Sequence, residues 1–325
     1  MTPDSDGSDR AVGGDAPDRT ADGGTDTLDR VDRAAAKTGG DLESENTSDY
    51  GGLPSLSLAA DSPTLAVAGR EYRLAVRSRW AAGIVLLFGL FTTAVVQFGT
   101  STVGPGRFDA VLATVVELGV YLVPLVAVAV GYDVVVGAHE RGSLELLLAL
   151  PITRGRVIAG TLAGRAAVLS GAMLLGFVPA GVLTVLWFGP SGVGAYATVA
   201  LAAALTGCAV LSVAVLVSTV APTKTYALGG SLALWLWFVL LHDLAALGTV
   251  AAADLGGAAI AVAVLLNPVD CFRVIGLSQV DVVAGGFGAV MTQAGLSMPL
   301  AVAALGAWTL VPGAAAARLL RRRRL

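Results

Sequence analysis

Six stretches of this chain are long and apolar enough to cross a bilayer, and no other property narrows its possible folds as far. A spanning helix needs roughly twenty mostly apolar residues, because the hydrocarbon core offers its backbone no other hydrogen-bond partner. On that rule spans fall near 81–99, 109–131, 162–188, 195–220, 226–250 and 299–320. Segment 254–266 is equally apolar, but about thirteen residues is short for a crossing, so it is read as an interfacial or re-entrant piece. Composition agrees. Of 325 residues 55% are hydrophobic and 14% charged, with a mean hydropathy of +0.76. So few charges cannot solvate that much apolar surface in water. The expected fold is an all-α membrane protein with six transmembrane helices.

The net charge of −3 hides two unlike regions. Residues 1–64 hold fourteen acids against five bases, and the other 261 residues hold ten acids and sixteen bases. The first stretch, rich in Gly, Ser and Thr, cannot bury a core. It is expected to form a disordered acidic cytoplasmic tail over 1–63, and it has no apolar segment of signal-peptide type. Basic residues then orient the spans. Six spans place Arg70, Arg73, Arg77, Arg79, Arg141, Arg154, Arg156, Arg165, Lys224, Arg318 and Arg321 to Arg324 on one side, fourteen in all, and leave only Arg107 and Arg273 on the other. A seventh span would carry the closing arginines outside. The expected placement is a multi-pass protein of the cell membrane with both termini cytoplasmic.

Ahead of span one, "TLAVAGREYRLAVRSRW" places Leu65, Tyr72, Val76 and Trp80 on one helical face and Arg70, Arg73 and Arg77 on a neighbouring one. That pattern suits a helix lying in the membrane interface with its arginines toward lipid headgroups, or a plain juxtamembrane anchor. Between spans two and three runs the polar stretch "AHERGSLELLLALPITRGR". Ser143 is placed to cap a short helix, Glu145 suits its first turn, and Pro151 stops it. Leu144, Leu147 and Leu148 then form one apolar stripe with little core of its own. The stripe is expected to dock on a partner or on the headgroup layer.

These segments resemble a known family. "GYDVVVGAHERGSLELLLALPITRGRVIAGTLAGR" is similar to the cytoplasmic signature of ABC-2-type permeases, in which an acid-Arg-Gly stretch precedes a short coupling helix. "REYRLAVRSRW" resembles the elbow helix of that family. "LLNPVDCFRV" resembles one branch, the permease of the nitrous oxide reductase maturation transporter, which serves copper-site assembly. The likeness covers most of 64–325, read as one six-span permease domain. It implies an N-terminal elbow helix, a cytoplasmic coupling helix, a second permease copy as homodimer partner, and a separate ABC ATPase subunit that binds ATP and Mg. It also implies that Glu140, Arg141, Gly142, Leu144, Leu147 and Leu148 couple to that ATPase and do no chemistry. The chain itself has no Gly-Lys pair from which a phosphate-binding loop could be built, so no cofactor is expected on it.

Ionisable groups inside a span are costly, which makes them candidate functional sites. Glu117 in span two and His242 and Asp243 in span five lie at a similar depth, roughly 10–12 Å from the outer surface at 1.5 Å per residue. They are expected either to line a polar route or to form a hydrogen-bonded packing cluster. Asp133 closes span two beside Arg141 or solvent. No metal site is expected. Cu(I) would want clustered thiolate or thioether ligands, whereas Met173, Cys208, Cys271, Met291 and Met298 are dispersed, and two cysteines make no disulfide framework. Gly160 and Gly164 form G-x-x-x-G on span three, followed by Gly171, Gly176 and Gly181. Such a stripe packs either within one subunit or across a dimer. The stretch 267–298, with Asn267, Pro268, Asp270, Arg273 and Asp281, is read as an outer loop that receives an extracytoplasmic accessory protein or lids the spans. Membrane lipid is the other expected partner, and nucleic acid is not.

Competing classes are narrower. An intramembrane enzyme would need a clustered constellation. Only His139 and His242 are present, without H-E-x-x-H or G-x-S-x-G. A membrane scaffold or receptor would need no ATPase.

Overall fold

A computed structural model describes residues 63–77, 79–99, 107–142, 153–252, 256–280 and 294–322. The acidic tail, Ser143, Leu144, Glu145, Leu147, Leu148, Pro151, Asp281 and Met291 lie outside the described residues. Those described are helices joined by short turns, with no strand among them. Six helices are long and apolar enough to cross a membrane: Arg79–Gly99, Phe108–Glu140, Arg154–Phe188, Pro190–Val220, Lys224–Ala246 and Met298–Arg321. These are the six expected spans, and the protein is a multi-pass membrane protein. Span two is the largest extension of the reading, since its helical stretch runs on to Glu140, 33 residues in all.

The elements in chain order are α1 (Pro63–Arg77), α2 (Arg79–Gly99), α3 (Arg107–Gly131) and the short α4 (Val136–Glu140). Then come α5 (Arg154–Phe188), α6 (Val193–Val220) and α7 (Lys224–Leu236), continued through a π-helical turn (Trp237–Leu241) into α8 (His242–Ala252). The last are α9 (Gly257–Leu265), α10 (Pro268–Leu277) and α11 (Met298–Arg322). Helix α6 is the hub, packing against α3, α5, α10 and α11. Its composition explains this, since alanines, small polar residues and valines let neighbours approach on every side. An aromatic column joins spans one, three and four. Phe88 stacks on Phe177 at 5.8 Å, Phe177 meets Tyr196 at 5.9 Å, and the Tyr196 hydroxyl donates to the Phe177 carbonyl at 3.0 Å.

The glycines of span three pack within the subunit. A Cβ on Gly160 would lie 2.7 Å from the Thr64 carbonyl oxygen, and one on Gly164 would lie 2.6 Å from that of Ala68. Helix α1 therefore sits in a cradle that only glycine leaves open. Higher on α5, Gly176 gives the same room to Phe88 of span one, whose Cβ would be 2.6 Å away. The docked face of α1 is thus Thr64, Val67, Ala68 and Glu71. Leu65 and Tyr72 stay exposed, Trp80 belongs to α2, and Arg70, Arg73 and Arg77 are exposed as expected.

Helices α9 and α10 correct one expectation. The apolar segment before Asn267, read as interfacial or re-entrant, turns by 110° into α10. Asn267, Pro268, Asp270 and Arg273 are therefore not on an outer loop. Asn267, Pro268 and Asp270 are buried, and Arg273 is mostly so, on a helix wedged among α3, α6 and α11. The physical reason is local and complete. Asn267 caps the helix by accepting from the Val269 amide at 3.0 Å, Pro268 takes the first position, and Asp270 faces the amino-terminal dipole.

Candidate functional site: two ionic centres at opposite ends of the bundle

The first centre lies at the arginine-rich end. Span two ends in a turn at Tyr132–Val135 and resumes as α4, where the Val135 and Val136 amides both donate to Ser218 Oγ on α6, at 3.0 and 3.2 Å. This fixes the root of the arm that carries Glu140, Arg141 and Gly142. The Gly142 amide donates to the His139 carbonyl at 2.9 Å, and φ of +68° makes glycine the natural residue there. Asp133, at that root, meets three cations: Lys224 Nζ at 3.5 Å, Arg165 Nη1 at 3.6 Å and Arg141 Nη1 at 3.9 Å. Arg165 also reaches Glu71 of α1 at 3.6 Å and donates to the Val130 carbonyl at 2.7 Å. Glu140 accepts from the Lys224 backbone amide at 2.8 Å. Asp133 thus ties the arm, span three and the start of span five together, and Arg165 extends the tie through Glu71 to α1. Asp133 and Arg165 also line an open cleft of about 480 Å³ between spans one and two.

The second centre lies at the far end and inverts that arrangement. Arg273 donates from Nη1 to Asp270 at 2.8 Å and to Asp243 at 3.2 Å, while its Nε lies 3.5 Å from Glu117. Asp270 Oδ2 lies 3.0 Å from His242 Nδ1 and accepts from Asn267 Nδ2 at 2.9 Å. The expected cluster of Glu117, His242 and Asp243 therefore exists, but through Arg273 and Asp270, which were read as loop residues. His242, Asp243 and Asp270 bring ligand-type atoms within 4.8 Å of one another. The cation that Asp243 and Asp270 share is the Arg273 guanidinium. Asp270 is nearly enclosed, whereas the Glu117 and Asp243 side chains are 48% and 43% exposed on the bundle's side.

A π turn aims span five at this centre. The His242 amide passes over the Phe238 carbonyl and donates to Trp237, five residues back. The freed Phe238 carbonyl accepts from Asn267 Nδ2 at 2.8 Å instead. A side chain inserted into the helical ladder is a known cause of such turns. Periodicity alone carries no sign of it.

Among the described residues, three sulfur groups sit in separate settings. Met173 is fully buried facing Gly207, Cys208 Sγ is 3.1 Å from Ser170 Oγ, and Cys271 is buried in α10.

Six apolar spans, a glycine-docked leading helix and a polar arm between spans two and three define a permease-type membrane protein, and comparison places it. A model of the ABC-2 family transporter protein matches residues 65–325, so the chain belongs to that family. It is 35% identical over 268 residues to the probable ABC transporter permease protein NosY of Pseudomonas aeruginosa, covering 79% of this chain and 97% of that one. To the protein of the same name in Stutzerimonas stutzeri it is 31% identical over 245 residues, covering 73% of this chain and 89% of the relative. The chain is a permease subunit of an ABC transporter.

Proposed function

We propose that this chain is the membrane subunit of an ATP-driven transporter, in which a separate ABC ATPase hydrolyses ATP and the permease turns that cycle into export or mechanical transmission across the membrane. The observation that carries the reading is the arm at Glu140–Gly142. It precedes Leu144, Leu147 and Leu148 in the chain, and its root is fastened to Ser218 and to the Asp133 centre. A force applied to that arm reaches α1, span three and span five together. ATP and Mg belong to the partner, and Glu140, Arg141, Gly142 and the leucines transmit motion. The fourteen-to-two basic asymmetry supports both termini on the cytoplasmic side. It also puts Arg70, Arg73 and Arg77 at lipid headgroups.

A second copy of the chain completes the unit. Glu117 and Asp243 are half-exposed within spans, where lipid contact would be costly. Beside Glu117 lies an apolar cleft of about 520 Å³ lined by Phe91, Thr114 and Leu118 among others. Cover by a second copy, with a polar route between the two, removes that cost. The resemblance of "LLNPVDCFRV" supports a role in copper-enzyme maturation, with an extracytoplasmic accessory protein at the far end.

Co-expression with a neighbouring ATPase tests the reading. The two proteins are expected to copurify, and Leu147→Asp to abolish copurification while membrane insertion is kept, since an unpaired carboxylate in an apolar contact costs several kcal/mol, roughly. A native chain that holds no ATPase would leave a scaffold or receptor as the better account. Unchanged copurification and coupled ATP turnover in Leu147→Asp would place the stripe on lipid.

A further inference from the structure

Span five is one of the outer spans of the bundle, 22% buried like span one, against 78% for the central span four. Its ionic fastenings lie at its two ends. At the arginine-rich end Thr223 provides no side-chain cap. Glu140 does that work from the arm, accepting from the Lys224 amide at 2.8 Å, in the first turn where a helix favours an acid. The Lys224 ammonium lies 3.5 Å from Asp133 and 5.5 Å from the centre of the Tyr132 ring. Tyr132, Asp133 and Glu140 all belong to the root of the arm that leads into 143–152.

At the far end Asp243 is held by Arg273, and the Phe238 carbonyl by Asn267. From Lys224 to Asp243 the helix runs about 28 Å at 1.5 Å per residue. Between these ends Trp235 Nε1 donates to the Tyr121 carbonyl at 3.2 Å, and Ser231 Oγ is buried with no hydrogen-bond partner. A helix is stiff along its axis, and the mid-span packing of this one, Phe238 on Trp308 at 5.5 Å with buried Ala227 and Val239, is apolar and so not directional. Movement of the arm's root at Lys224 therefore arrives at Asp243.

Resting on the permease reading, we propose that Lys224 is the positioning residue that gears span five to the arm. Displacement of Tyr132–Glu140 by the ATPase draws the Lys224 end of the span. The same displacement shifts Asp243 against Arg273 and so changes the hold of Arg273 on Glu117. The ion pairs at the two ends then act as one linkage in place of two separate clusters.

The experiment measures spin-label distances between Leu244→Cys, exposed near the far end of span five, and Leu300→Cys, exposed near the start of span six, with Cys208 and Cys271 replaced by serine. It uses the assembled complex with its ATPase, without nucleotide and with ATP plus vanadate. With native Lys224 the distance distribution is expected to shift on trapping. Lys224→Met is expected to lose the shift while the complex still isolates intact, and Lys224→Arg to restore it. Lys224 is 43% exposed, so a purely structural role predicts no difference between the methionine and native chains. A full shift in Lys224→Met overturns the proposal, as does the absence of any shift with native Lys224 in a complex that hydrolyses ATP. A chain that binds no ATPase at all overturns the permease reading first and the linkage with it.

Discussion

The two ionic centres are inverse images of each other. At the arginine-rich end one carboxylate, Asp133, is shared by Arg141, Arg165 and Lys224. At the far end one guanidinium, Arg273, is shared by Glu117, Asp243 and Asp270. In each the central ion has the minority sign, so its removal leaves three like charges facing one another. The centres differ in solvent. Each has two satellites near half exposure, Lys224 at 43% and Arg141 at 57% around Asp133, Asp243 at 43% and Glu117 at 48% around Arg273. The difference lies in the central ion and its third partner: Asp133 and Arg165 are 23% and 21% exposed, Arg273 and Asp270 only 15% and 8%. Water and salt relax the first centre more than the second, whose Arg273–Asp270 pair must be neutralised by its own members. Equal connectivity therefore predicts unequal cost.

The largest effect should come from Arg273→Met. This change leaves the buried Asp270 without its guanidinium and beside the half-exposed Asp243, and breaking a buried pair such as Arg273–Asp270 costs about 3–5 kcal/mol. The variant is expected to lose most of its yield of monodisperse protein in detergent. Its partial recovery in the double variant Arg273→Met/Asp243→Asn would show that charge, and not lost packing, is the cause. Wild-type yield and melting temperature in the single variant would break the comparison, because both centres would then be equally tolerant.

Asp133→Asn should cost less, about 1–2 kcal/mol, between the values for exposed and buried pairs. Its three cations can turn toward water, and Arg165 keeps Glu71 and the Val130 carbonyl. The expected sign of failure is functional. Coupled ATP turnover falls while the melting temperature drops by only a few degrees, roughly. A loss of stability as large as that of Arg273→Met would mean that solvent does not distinguish the two ends.

What was legible in the sequence follows the range of the interactions involved. The spans were readable because apolar length is a local property, and the common depth of Glu117, His242 and Asp243 followed from counting turns. Arg273 was misplaced for a physical reason. A ten-residue segment with two charges reads as loop until each charge is matched by one on another span, and that match is tertiary. A signal was present nonetheless, since Asn267, Pro268 and Asp270 occupy the cap, first and third positions of a helix start, with Val269, Phe272, Val274 and Ile275 as its apolar content. The G-x-x-x-G of span three announced a close approach without its partner. The docked face of α1 is not legible because the apolar stripe through Leu65 and Tyr72 points only to a helix lying in the membrane interface. The glycine cradle instead takes the face with small Ala68 and Thr64. The π turn depends on Asn267 reaching the Phe238 carbonyl, which no periodicity records.

The smallest stability effect should belong to Glu117→Gln, and it separates the members of the far centre. Glu117 lies 3.5 Å from Arg273 through Nε and is 48% exposed, while Nη1 keeps both Asp270 and Asp243. Glutamine can still accept from that nitrogen, so the change should cost less than about 1 kcal/mol and leave the melting temperature near that of the native chain. A half-exposed carboxylate inside a span is a poor choice for packing alone, so a loss of coupled turnover at unchanged stability is expected if the side chain faces a polar route. Cysteines at 117 and 243 supply the geometry independently. Both positions flank Arg273, so a bifunctional cross-linker of short span should join them within a subunit or across the dimer. Failure of every cross-link would remove Glu117 from the centre. A stability loss matching that of Arg273→Met would make Glu117 a structural member, and unchanged turnover would take it off the route. The graded series Arg273, Asp133, Glu117 then tests a single idea, that enclosure of the central ion, and not the number of its partners, sets what each centre costs to break.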